Sequence, residues 1–163
     1  DADLLFVGEG PGKHEDAEGE PFVGRSGDLL DEQLLDAGLE RQQVRITNCV
    51  RCRPPDNRDP TREELANCRG YLEREIVAVD PDLLITLGKV PAEHLLGRDV
   101  AVTSEAGDIV EAEVGGEYRR VLISVHPAAI LYDRSQAETF ERTIALAADY
   151  ADDEGGQSRL GQF

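Results

Sequence analysis

Apolar residues in this chain come in short, dense runs, each cut off by glycine, proline or charge. Leu4 to Val7 before Gly8 and Leu83 to Leu87 within DLLITLG each have the length and density of a buried strand, and Val44 to Asn48, VRITN, reads as a further strand. A further run, RVLISVHP, stops at His126-Pro127. Between these runs the spacing turns helical. Leu29, Leu30, Leu34 and Leu35 follow Ser26, a capping residue, and stop near Gly38. Thr61 and Glu64 stand three apart, as a capping box requires, and open a helix to about Ala78. A short helix fits Pro91 to Leu96, and a last one Ala137 to Tyr150. Residues 100 to 118 alternate irregularly and fit a hairpin or an excursion at a sheet edge.

Strands separated by helices predict parallel pairing, because parallel neighbours need a crossover and are covered on both faces. The expected fold is therefore α/β: a three-layer α/β/α sandwich around a central four-stranded, mainly parallel sheet. One domain should span residues 1–150, while 151–163 carries too few apolar residues to pack and is expected to be a loose polar tail. Neither a membrane-length apolar stretch nor a secretory leader is present, so a soluble, cytoplasmic protein is the expectation, with no membrane partner.

Charge changes the picture. With 34 acidic residues against 17 lysines and arginines, the net charge is −17. Such an acid coat suits a protein adapted to strong salt. At about 1 M salt the Debye length is ~3 Å, so the coat would not repel a polyanion from afar. Against this background RCRPPDNRDPTR, residues 51 to 62, is an island of positive charge where a phosphate backbone could rest or where the arginines could pair with neighbouring acids.

Gly8 to Gly24 forms a long glycine-rich loop after the first strand, and long loops in compact domains are often functional. Its Gly12-Lys13 suggests a phosphate loop, but Val7 and His14 break the required spacing, and Glu9 would face the phosphate. In parallel sheets ligands bind beyond the carboxyl ends of the strands. Those ends carry Glu9, Asn48 and His126, which should gather along one rim as a small polar site.

At this point the residues carry a resemblance. GEGPGKHEDAEGEPFVG (8 to 24), TNCVRCRPPDNRDPTREELANC (47 to 68), LITLGKVPAEHLLG (84 to 97) and VHPAAIL (125 to 131) resemble, in order and spacing, the motifs of the family-4 uracil-DNA glycosylases, the iron–sulfur branch of that superfamily. The resemblance implies a base-excision repair enzyme acting as a monomer on uracil in single- or double-stranded DNA. Such an enzyme extrudes the nucleotide and reads it in a pocket. By that likeness Phe22 stacks on the base, the Asn48 amide reads O4 and N3–H, and Gly10 lets the backbone approach. Glu15 shapes the pocket against the methyl of thymine. His126 donates to uracil O2 as charge develops there. Glu9 orients water or steadies the cationic sugar, although better-known classes carry an aspartate one place later, where this chain has Gly10. After His-Pro the likeness expects a serine and a bulky residue. Here stand Ala128 and Ala129, leaving Leu131 and Arg134 as candidate DNA contacts.

The chain has three cysteines, too few for a disulfide framework. By the same likeness Cys52 and Cys68 are two of the four thiolates that hold a 4Fe–4S cluster. Cys49 forms a CxxC with Cys52 and fits either an alternative thiolate or a small buried residue. Two other functions share these residues: a relative acting on another deaminated base, and a noncatalytic nucleic-acid or iron–sulfur module.

Overall fold

The computed structural model describes residues 3–10, 25–39, 44–50 and 59–160, with backbone only at 25–26 and 152–160. Its strands are β1 (Leu4–Gly8), β2 (Arg45–Asn48), β3 (Leu83–Leu87), β4 (Ile109–Val114) and β5 (Glu117–Ser124). The helices are α1 (Arg25–Asp36), α2 (Arg62–Val79), α3 (Lys89–Leu96), α4 (Val102–Glu105), α5 (Ala129–Tyr132) and α6 (Ser135–Leu160). No helix among the described residues is long and apolar enough to cross a membrane.

The sheet runs in the order β2-β1-β3-β5-β4. β1 pairs in parallel with β2 and β3, and β3 with β5, whereas β4 returns antiparallel along β5. The sheet thus has five strands rather than four. The extra one comes from the irregular segment before Tyr118, where Ala112 and Val114 point inward while Glu111 and Glu113 stay exposed.

Alternation along the central strands assigns side chains to two cores. Leu4, Phe6, Ile85, Leu87 and Leu122 meet Leu30 and Leu34 of α1 and Phe140, Ile144 and Ala147 of α6. On the opposite face Leu5, Val7, Leu84 and Val121 meet Leu72 and Ile76 of α2 and Leu95 of α3. Each residue of β1 and β3 is buried, which is why their sequences are unbroken apolar runs.

Helix ends follow local chemistry. α1 stops in a Schellman turn at Gly38 (φ 85°), with Leu39 N–H donating to the Leu34 carbonyl at 2.6 Å and Gly38 N–H to the Leu35 carbonyl at 2.9 Å. Thr61 caps α2 with both bonds of the box: Glu64 N–H donates to Thr61 Oγ1 at 3.1 Å and Thr61 N–H to Glu64 Oε1 at 2.9 Å. At the other end Asp80 (φ 49°) donates its N–H to the Ile76 carbonyl at 2.8 Å and accepts from Arg119 at 3.0 Å.

The β4–β5 hairpin turns on Gly115 and Gly116, both at positive φ (64° and 86°), as a two-residue turn with the twist of its strands demands. A Cβ on Gly115 would lie 2.7 Å from Val77 Cγ2 of α2, whereas one on Gly116 would meet nothing within 4 Å. Left-handed backbone costs an alanine about 1–2 kcal/mol. Urea denaturation should therefore show Gly116→Ala losing about that much and Gly115→Ala losing more; equal losses would mean that Val77 simply gives way.

Candidate active site

Parallel register delivers the strand ends to one rim. Gly8 pairs with Asn48, and the ladder continues past both strands, with Cys49 N–H donating to the Gly8 carbonyl at 2.9 Å and Val50 N–H to the Glu9 carbonyl at 3.1 Å. Glu9 and Asn48 are thereby fixed on neighbouring chains. β2 is braced from outside by Glu75 of α2, which accepts from Thr47 Oγ1 at 2.5 Å and from Arg45 Nε at 3.0 Å. Across the sheet, Leu87 pairs with Ser124, two residues before His126.

His126 is half-buried, and its surroundings specify its state. Its Nδ1 accepts the Ala128 N–H at 2.9 Å, so the proton of the neutral ring lies on Nε2. Burial pushes the pKa down to about 4, and the ring is therefore neutral at physiological pH. The histidine packs on Gly88, which joins β3 to α3 with φ 104°; a Cβ there would stand 3.3 Å from His126 Cβ. Gly88 thus does two jobs, a backbone conformation that side chains rarely adopt and a close approach to the imidazole.

Glu9 is also pushed toward its uncharged form. Burial, then a hydrogen bond to Asp59 and repulsion from its charge, push the Glu9 pKa up to about 7. Glu9 Oε1 and Asn48 Oδ1 are both buried without a hydrogen-bond partner among the described residues. An unpaired buried acceptor is costly, on the order of 1–3 kcal/mol. Two on adjacent strand ends make a site that needs donors from a ligand or water.

Glu9 and Asn48 thus stand on adjacent strand ends, with Gly10 following Glu9 in the chain, while His126 follows β5 at the same carboxyl edge, separated from β1 by β3. Leu131 lies on α5 and Arg134 between α5 and α6, both exposed and a few residues beyond His126. Glu15, Phe22 and Cys52 lie outside the described residues. Cys68 is half-buried on α2, and no three metal-binding side chains cluster among the described residues. Cys49 is buried, and burial pushes its thiol up to about 12. Sequence reasoning missed two contributors, Gly88 and Asp59. The glycine could have been suspected from its place after a buried strand and before a helix. The aspartate had no local signal.

Residues 1–148 match the family model of the uracil DNA glycosylase superfamily. The chain is 42% identical over 144 residues to the type-4 uracil-DNA glycosylase of Archaeoglobus fulgidus, covering 86% of this chain and 72% of that one. It is 42% identical over 136 residues to the type-4 enzyme of Thermotoga maritima (83% and 69% covered) and 39% identical over 155 residues to that of Sulfurisphaera tokodaii (92% and 70%).

Proton NMR of the histidine ring should find His126 neutral down to about pH 4. Gly88→Ala, by dislodging the ring from its buried seat, should move that midpoint up toward the ordinary ~6.5. An unmoved midpoint would show that the contact does not hold the imidazole.

Proposed function

The chain belongs to the uracil-DNA glycosylase superfamily, and on that footing we propose that it hydrolyses the N-glycosidic bond of a flipped-out deoxyuridine, releasing uracil and leaving an abasic site. The observation that carries this reading is the pair of unpartnered buried acceptors, Glu9 Oε1 and Asn48 Oδ1, on the rim that also holds a neutral histidine. Uracil supplies what Asn48 lacks: its N3–H donates to Oδ1, while the amide NH2 donates to O4. Gly10 leaves room for the nucleotide backbone. By likeness to the family, Phe22 stacks on the ring and Glu15 crowds the position where thymine carries its methyl.

As the bond between C1′ and N1 breaks, its electron pair leaves with uracil and spreads onto O2. His126, protonated on Nε2, donates a hydrogen bond there without surrendering a proton. A neutral imidazole suits this task, because its donor is already aimed and needs no change of charge. Water adds to C1′ from the side where Glu9 offers its unpaired oxygen, and the proton it loses passes to the Glu9 carboxylate.

DNA is the macromolecular partner. Leu131 and Arg134 are the proposed contacts flanking the extruded base, and single-stranded substrate, which needs no unpairing, is favoured. The working enzyme is proposed to be a cytoplasmic monomer. Cys52 and Cys68 would supply two thiolates to a 4Fe–4S cluster of the family type, and no step of the reaction runs through it.

Single-turnover release of uracil from a labelled oligonucleotide tests the assignment. His126→Ala should slow release about 10²–10³-fold, the usual cost of losing one such donor, while DNA affinity stays within a few-fold of native. An unchanged rate would remove the imidazole from the reaction. Absence of release by the native protein would overturn the function itself.

A further inference from the structure

β2 is the outermost strand of the sheet, four residues long, and among the described residues it pairs with β1 alone. A short outer strand opens more readily than the body of a domain. Alternation puts Arg45 and Thr47 on the same face of β2, the one turned toward α2. There the Glu75 carboxylate takes both. Its Oε1 accepts from Thr47 Oγ1 at 2.5 Å, while its Oε2 accepts from Arg45 Nε at 3.0 Å and lies 2.9 Å from Arg45 Nη2. Each oxygen thus serves one residue of the strand, so β2 can neither slide along α2 nor lift from it without breaking a charge-assisted bond. The mount is firm as well: Glu75 stands next to Ile76 and within a turn of Leu72, both fully buried against the sheet, and its own side chain is 13% exposed.

Asn48 follows Thr47 in the chain. The grip therefore ends one peptide unit short of the carboxamide whose Oδ1 is buried without a partner among the described residues. We propose that Glu75 is a positioning residue for Asn48: by fixing Arg45 and Thr47 to α2, it sets the place and direction from which the carboxamide meets the base. This rests on the glycosylase reading given above. In this role Glu75 acts through the strand and not on the base itself.

A carboxamide displaced by about 1 Å no longer brackets N3–H and O4 together, and misplacement on that scale costs up to about 10²-fold in rate. Loss of the grip should therefore weaken both the hold on uracil and the rate of its release. His126, which follows a different strand and is fixed by the Ala128 N–H, should keep its ring where it is.

Hydrogen exchange and kinetics together decide the matter. In Glu75→Ala the Cys49 and Val50 amides, which close the two bonds beyond the end of β2, should exchange about tenfold faster or more, while the amides of β3 keep their native rates. Global destabilisation would quicken both sets alike. Single-turnover uracil release should slow about ten- to a hundredfold, and free uracil should inhibit correspondingly less. Thr47→Val, which removes one bond and keeps the shape, should slow release about fivefold or more, and it carries the test if Glu75→Ala does not fold. Glu75→Gln, which still accepts from Thr47, should lose less than alanine does. In an Asn48→Ala background neither Glu75→Ala nor Thr47→Val should slow release further by more than about twofold, because the group they position is gone. Unchanged exchange at Cys49 and Val50 overturns the tether, and losses that multiply with that of Asn48→Ala overturn its route through the carboxamide. Should the native protein release no uracil while exchange still quickens, the glycosylase reading fails and takes the base-reading role with it, whereas the tether itself stands.

Discussion

Everything at the rim depends on the main-chain ladder between β1 and β2, which runs two hydrogen bonds beyond the strands proper. Those bonds, from Cys49 and Val50 to Gly8 and Glu9, hold the two segments in register where side chains stop serving the core and start serving the site. Peptide bonds fixed in this way leave Glu9 and Asn48 little freedom beyond their own rotamers. The same ladder is inherited from the interior, because β1 and β3 are buried on both faces and cannot slip by one residue without turning each core inside out.

Burial that stabilises the sheet also tunes the chemistry beside it. One desolvated environment pushes His126 toward its neutral form and Glu9 toward its protonated form, since both shifts disfavour charge. The acid-rich exterior, with its net charge of −17, therefore surrounds a rim where His126 is neutral and Glu9 is about half-ionised near pH 7. Affinity for phosphate would then come from discrete cations, of which Arg134 is the proposed one, rather than from the overall field.

Much of this architecture was legible in the sequence because several constraints act locally. The unbroken apolar runs Leu4 to Val7 and Leu83 to Leu87 announce strands buried on both faces, Gly38 marks a helix stop, and Thr61 with Glu64 forms the expected box. Knowing where strands end then places Glu9, Asn48 and His126 on one rim by topology alone. Other features have no local signature. β4 alternates correctly only from Glu111 onward, and its exposed Ile109 blurs the period. The helix α6 continues to Leu160, past Tyr150, where the apolar spacing ceases to report it. Asp59 matters through a partner at the far end of another strand, and nothing in RCRPPDNRDP distinguishes it from Asp56.

β4 has a meaning beyond completing the count. Without it β5 would be the outer strand of the sheet, and outer strands fray, opening on their own more readily than the body of a domain. By folding back along β5 from Ile109 to Val114, β4 gives the strand that leads to His126 partners on both sides. The imidazole is thus tethered to an interior member of the sheet, and its aim is as durable as the folded state itself.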